Sequence, residues 1–331
     1  MQTFPVVYSS LSATSLLQLI RDAYNLDTDY QILFLKRGFN DTYLISGKQE
    51  RFILRVYNYQ WRQLKDIEAE LDLLLYLKKN GVFVSAPIQD IKNEYIQLIA
   101  APEGTRYAVL FSYAEGEQIK KLSVDQSLLL GVTTGCMHQL TKDKILPATA
   151  RDYAVEKQLE HSLQILKPIL KDHPAQFDFF IALRESFLKM VASVPEDEIA
   201  TGICHGDLQA ENFHISADNH FTFFDFDFFG KGYLIYDIGV FMWYDHKNKP
   251  PAIMNAFLKG YKSKCPLTNT EKRLIPWMST LRAIFQMTCA NCHRIFGAGG
   301  QIGPDITGAQ RTNLDYLLQT LIDPSAAVNK D

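Results

Sequence analysis

Ile203–Gly239 reads ICHGDLQAENFHISADNHFTFFDFDFFGKGYLIYDIG, and the fold follows from how this stretch is parsed. Two short apolar runs, Phe213–Ser216 and Phe221–Phe224, flank the polar turn ADNH, which predicts a β-hairpin by alternation and turn chemistry. Asn212 stands just before the first strand and Asp225 just after the second. A hairpin returns its two ends to one place, so an amide oxygen and a carboxylate are expected to converge. Oxygen ligands of this kind suit Mg²⁺, which keeps several waters and takes its remaining ligands from substrate phosphates. Asp207, one loop earlier, is then placed to accept or orient a hydroxyl proton at the same edge. His205 is read as a packed residue that orients the loop.

An acid, an asparagine and a second acid in this order match what phosphoryl transfer asks of a protein, namely positioning and charge neutralisation. Any one of these acids alone would read as a loop or helix cap. It is the combination of Asp207, Asn212 and Asp225 that points to catalysis.

On the N-terminal side the pattern is strand-rich. QILFL, TYLIS and RFILRVY, joined by the turns KRGFND and GKQE, predict consecutive hairpins. A helix fits Trp61–Lys79 through its leucine and isoleucine stripe, with Asn80-Gly81 as a stop. Strand-like runs at Ala86–Ile91, Tyr95–Ala100 and Arg106–Tyr113 complete a small antiparallel sheet, taken as five-stranded with one helix against it. After Tyr113 the character turns helical, beginning with the capping box at Ser123–Gln126 ahead of a run to about Leu140. Further helices fit Gln176–Val194, Pro251–Ser263 and Asn269–Thr288. The expected division is 1–113 as a nucleotide-binding lobe, 114–281 as a catalytic and substrate lobe, and 282–331 as a separate C-terminal segment.

The chain has 331 residues, 47% of them hydrophobic, and a net charge of −3, so a basic surface for nucleic acid is not expected. No uninterrupted apolar run approaches the roughly 18 residues of a membrane span, and the N-terminus carries no export pattern. A cytoplasmic location is expected. Three of the five cysteines, Cys136, Cys204 and Cys265, are scattered among apolar or helical neighbours and read as packing residues rather than a disulfide framework.

HGDLQAEN, followed by FFDFD and YDIG, resembles the aminoglycoside phosphotransferase and choline kinase superfamily over about residues 30–280. The resemblance implies an α+β, bilobal protein-kinase-like fold, with a small antiparallel sheet in the N-lobe and a mostly helical C-lobe. It implies ATP and Mg²⁺ as cofactors, and transfer of the γ-phosphoryl group to a hydroxyl of a small molecule such as homoserine, choline, an amino alcohol or an aminoglycoside. Carried over by motif, Asp207 is the catalytic base, Asn212 and Asp225 hold Mg²⁺, and Asp237 is a structural carboxylate; Asp227, two residues beyond Asp225 and so on the same side of an extended strand, is read as sharing the metal or touching substrate. For ATP, Arg55 in ILRVY holds phosphates and pairs with Glu70, Gly38 in the turn KRGFND offers backbone to phosphate, and Phe111 and Tyr113 flank the hinge where adenine stacks. Glu68, two residues from Glu70, is expected to be an exposed charge. Asp227, Tyr233, Tyr236 and Trp243 are candidates for an acceptor pocket suited to an amine-bearing alcohol. A protein serine/threonine kinase of the same superfamily is the alternative.

The segment CANCH, Cys289–His293, is a C-x-x-C-H string, whose thiols can bond haem vinyl groups while the histidine binds iron. With GGQIGPD and LIDPSA it is similar to c-type cytochrome modules over about residues 282–331. That similarity implies haem c on Cys289 and Cys292 with His293 as proximal ligand, hence an electron-transfer fusion as a further alternative. No methionine follows His293 to act as sixth ligand, and a zinc site would want a fourth ligand that is not evident nearby. An inert remnant or fusion is the expectation.

Overall fold

A computed structural model describes residues 4–119, 121–144, 151–244 and 250–287, with the short pairs 294–295 and 298–299. The expected haem residues Cys289, Cys292 and His293 lie outside the described residues. The chain separates into two compact units, Met1–Gln118 with Phe213–Phe224, and Ile119–Asn212 with the chain from Asp225 onward.

The first unit is built on a five-stranded antiparallel sheet in the order β1 (Gln31–Arg37), β2 (Asn40–Ser46), β3 (Arg51–Tyr57), β5 (Gly104–Ser112), β4 (Ile96–Ala101). Tyr43, Ile45, Leu54, Val56, Ala108 and Leu110 alternate onto one face, where they bury Leu16, Leu17 and Ile20 of α1 (Ala13–Tyr24). The Ser12 hydroxyl caps this helix at Ser15 N–H, and Asn25 closes it in the left-handed conformation. The helix α2 (Leu64–Lys79) starts three residues later than its apolar pattern suggests, because Trp61 is drawn off to stack on Phe39 at 4.3 Å.

Ala86–Ile91 does not form the expected strand. Ser112 N–H reaches the Ala86 carbonyl, and Pro87 makes an isolated bridge to Phe111. Proline has no N–H to donate, so a ladder cannot continue through it. Asn40 and Asp41, the last two residues of the predicted turn KRGFND, open β2 instead and are both buried. Asp41 accepts the Tyr8 hydroxyl and the Nη2 of the fully buried Arg106 at 3.0 Å, and Arg106 Nη1 reaches the Ser9 carbonyl. The N-terminal chain is thereby strapped to the end of the β1–β2 turn. Burial, together with the Asp41 hydrogen bond, pushes the Tyr8 hydroxyl up to about 12.

The predicted hairpin is present as β8 (Phe213–Ile215) and β9 (Phe221–Phe223), with Phe213 opposite Phe223. It is stitched into the first unit by backbone bonds: Ser85 N–H donates to the Phe223 carbonyl, Phe223 N–H to the Phe83 carbonyl, and Glu117 and Ile215 exchange a pair.

In the second unit, β6 (Arg151–Asp152), β10 (Gly230–Tyr233) and β7 (Thr201–Cys204) form a small sheet in that order. Around it stand α3 (Val124–Thr141), α4 (Val155–Ile169), α5 (Pro174–Ala192), α6 (Ile235–Trp243), α7 (Pro251–Lys262) and α8 (Asn269–Met287). Every residue of α6 is buried, so it shows no amphipathic stripe. No described helix is long and apolar enough to cross a membrane. The two units give an α+β architecture with a β-rich N-terminal part and a mostly helical C-terminal part.

Candidate active site

Strand β7 delivers Cys204 next to Gly230 of β10, so His205-Gly206-Asp207 emerges beside the segment that begins at Asp225. Gly206 sits at φ 82°, and a side chain on it would collide with the Phe228 carbonyl and the Tyr153 hydroxyl. Both the backbone angle and the space require glycine. The His205 ring lies 4.3 Å from that of Phe226, and its Nδ1 accepts the Asp207 N–H at 3.3 Å. This is the contact set of a residue that shapes a loop.

Asp237, in the first turn of α6, holds the loop from beneath. Its carboxylate accepts His205 N–H at 2.7 Å, Gly206 N–H at 2.8 Å and the His138 Nε2 at 2.9 Å, while His138 Nδ1 faces the Tyr261 hydroxyl at 2.8 Å. Burial alone would push this carboxyl up, but the His138 hydrogen bond, the charges of His138 and His205 and the Gly206 N–H outweigh it and hold it below the ordinary carboxylate range. A depressed folded-state value adds stability that is complete above about pH 4 and is lost as the pH falls through that lower value. Asp237→Asn should therefore cost about 3 kcal/mol at pH 7 and flatten the fall of stability below pH 4. Urea unfolding at pH 7 and along an acid series checks this, and an unchanged acid arm would refute the assignment.

Asp207 is surrounded by donors. Its Oδ1 takes Arg282 Nη2 and the Tyr244 hydroxyl (3.1 Å); its Oδ2 takes Gln209 Nε2 (2.8 Å) and Asn212 Nδ2 (2.8 Å). Asn212 Nδ2 also donates to the Asp207 carbonyl at 2.9 Å. Both of those partners are acceptors, so the amide can only face them with its nitrogen. The Asn212 Oδ1 accepts nothing among the described residues and is turned away from Asp207, available to a cation. Asp225 adopts the left-handed conformation at φ 63°, a position where aspartate is tolerated but strained, and it is followed by the buried Asp227 in a short 3-10 turn. An amide oxygen with carboxylates in the next segment is a donor set that fits Mg²⁺. No group of three or more His, Cys, Asp or Glu suited to a metal occurs among the described residues.

In the first unit, Arg55 of β3 and Glu70 of α2 meet at 2.9 Å, with side chains 11% and 1% exposed. Glu70 also accepts the Tyr57 hydroxyl at 3.3 Å and has Arg62 at 3.9 Å. The Arg55 guanidinium lies 5.3 Å from the centre of the Phe111 ring. Glu68 is exposed on the same helix. Gly38 has open space where a Cβ would stand, and its N–H bonds the Asn40 carbonyl. Phe111 is buried in β5, while Tyr113 packs its ring under Arg51 at 4.1 Å.

Of the acceptor-pocket candidates, Tyr236 and Trp243 belong to the core, 1% and 2% exposed, with Tyr236 stacked on Tyr153 at 4.6 Å. The sequence reading had no place for Gln209, Tyr244, Arg282 or His138. Gln209 lies inside HGDLQAEN, and Arg282 is a lone charge in the apolar run TLRAIFQM, so each left a local trace.

The sequence profile of the phosphotransferase enzyme family (APH) matches residues 32–275, and the profile of cytochrome c matches residues 282–327. An uncharacterized protein of Synechocystis sp. is 34% identical over 272 residues, covering 81% of this chain and 75% of that protein. A homoserine kinase of Agrobacterium fabrum is 22% identical over 250 residues, covering 72% of this chain and 73% of its own. Among solved structures, an amicoumacin kinase in complex with AMP-PNP, Ca²⁺ and Ami superposes with a TM-score of 0.72 at 19% identity, covering 96% of this chain and 94% of that one. Because the family profile spans most of the sequence, from β1 into α8, this chain belongs to the phosphotransferase enzyme family.

Proposed function

We propose that this phosphotransferase moves the γ-phosphoryl group of ATP to a hydroxyl of a small amine-bearing alcohol, of the kind represented by homoserine, choline, amino alcohols and aminoglycosides. The observation that carries the reading is the Asp207–Asn212 hydrogen bond, which turns the Asn212 Oδ1 outward beside a catalytic carboxylate. Asn212 and Asp225 would hold Mg²⁺, with Asp227 as a further candidate. Held there, Mg²⁺ would neutralise charge on the phosphate oxygens. Asp207 orients the acceptor hydroxyl and takes its proton at a carboxylate oxygen, while His205 and Asp237 keep the loop in shape. In the first unit, Arg55 would grip nucleotide phosphate with its planar fork, and Glu70 keeps that fork in one orientation. Gly38 leaves room for close approach to phosphate, and Phe111 and Tyr113 mark where the base would lie. A cytoplasmic location, with its ATP supply, goes with this reading.

The test is ATP consumption by the full chain with Mg²⁺ across hydroxylated metabolites, with a serine/threonine protein substrate as a separate arm. Turnover on the order of 1–100 per second on one metabolite is expected. Phosphorylation of the protein substrate alone would move the acceptor class to proteins, and no ATP consumption in any arm would overturn the reading. A second reading, haem c at Cys289, Cys292 and His293, is favoured by the cytochrome c match. Expression of the same chain with cytochrome-maturation machinery checks it, and a preparation without a Soret band would dismiss it.

A further inference from the structure

Arg282 lies in the last turns of α8, beyond the matched stretch of the phosphotransferase family, yet it ends at the catalytic carboxylate. Its Nη2 donates to Asp207 Oδ1 and to the Tyr244 hydroxyl at 2.7 Å, and its Nη1 reaches the Gly206 carbonyl at 3.3 Å. Gln286 Nε2, one turn further along α8, donates to the same Tyr244 oxygen at 2.7 Å. With two donors arriving at that oxygen, the single Tyr244 proton is left to point at Asp207. Phe228, Tyr244 and Phe285 wall the guanidinium, with ring centres at 6.0, 5.5 and 5.4 Å. Arg282 itself is 2% exposed.

Burying a cation costs several kcal/mol that a single partner seldom returns in full, and an apolar residue of similar volume would stabilise the helix as well or better. Packing alone therefore does not account for an arginine here. What the arginine does is fix the plane and rotamer of Asp207 from one side, while Asn212 and Gln209 fix it from the other. We propose that Arg282 is a positioning residue of phosphoryl transfer, holding Asp207 through a planar fork shared with Tyr244 and the Gly206 carbonyl. The inference rests on the kinase reading, so wild-type turnover with MgATP is established first. Its absence, with either water or the panel's hydroxyl compounds as acceptor, would overturn that reading rather than this one.

With turnover in hand, Arg282→Met is expected to lower kcat about 100-fold with KM for MgATP within about threefold of wild type, the scale of a misplaced catalytic group. Arg282→Lys should recover only part of that, because a single ammonium cannot reach both Asp207 and the Gly206 carbonyl. In the Asp207→Asn background the Arg282→Met change should alter the residual rate by less than about threefold, since the two act as one unit. If Arg282→Met does not fold, Tyr244→Phe, which removes the second donor to the same oxygen, should still lower kcat about tenfold without raising KM for MgATP. A wild-type kcat in whichever of these variants folds would overturn the proposal. So would an equal loss from Arg282→Met with and without Asp207.

Discussion

Asp207→Asn is expected to lower kcat by at least about 1000-fold while leaving a folded chain that still binds MgATP. The size of the loss follows from what the substitution keeps. Asparagine has the shape of aspartate, so its Oδ1 can still accept Arg282 and Tyr244, and the loop held by Asp237 is untouched. What disappears is the anionic oxygen able to take a proton from the acceptor. The new amide nitrogen also faces the amide nitrogens of Gln209 and Asn212, two donors that it cannot satisfy. A stability cost of about 1–3 kcal/mol follows from those unmade bonds. Three measurements separate the effects: a coupled assay of ATP consumption, calorimetric titration with MgATP, and urea unfolding. Turnover within tenfold of wild type would remove Asp207 from the role of base. Loss of MgATP binding together with turnover would assign it to nucleotide binding instead.

The parts of this molecule that could be read in advance are those whose information is local. The β8–β9 hairpin announces itself by alternation around ADNH, with Asn212 standing just before it and Asp225 two residues after its second strand. Arg55 and Glu70 were expected from the family resemblance laid over a predicted strand and the helix after it, and the two side chains meet at 2.9 Å. Helix α6 escaped because nine consecutive buried residues carry no polar face to set a period. Helix α1 carries its own local signals, in the Ser12 cap and the spacing of Leu16, Leu17 and Ile20. Asp41 looked like an ordinary turn residue because its partner Arg106 stands 65 positions away. The Arg282–Asp207 pair is hidden for the same reason, with a separation of 75 positions. Charge pairs closed by the tertiary fold leave no pattern in a sequence window; only an isolated arginine in an apolar helix hints that something must neutralise it.

The Arg55–Glu70 pair is where stability and nucleotide binding can be separated by experiment. Glu70→Ala removes a carboxylate from between two buried guanidiniums, those of Arg55 at 2.9 Å and Arg62 at 3.9 Å, and takes away the acceptor of the Tyr57 hydroxyl. Stripping a buried pair of one partner costs about 3–5 kcal/mol, so a large fall in the urea midpoint is expected. Arg55→Met acts on the other side of the pair. It leaves Glu70 with Arg62 nearby and fills the same volume with an apolar chain against Phe111, so its cost in stability should be smaller, about 1–2 kcal/mol. Its effect on MgATP should be the greater of the two, because the cation proposed to grip phosphate is itself gone: KM should rise at least about tenfold, equivalent to one lost charge-assisted contact. Glu68→Ala, on the exposed side of the same helix, should change neither quantity beyond about 0.5 kcal/mol. Opposite orderings of Glu70→Ala and Arg55→Met in the two assays would mean that Glu70 serves ATP mainly by holding Arg55 in place. If both variants raised KM equally at equal stability, the carboxylate would instead have a direct part in nucleotide binding, and Arg55 would lose its assignment as the phosphate grip.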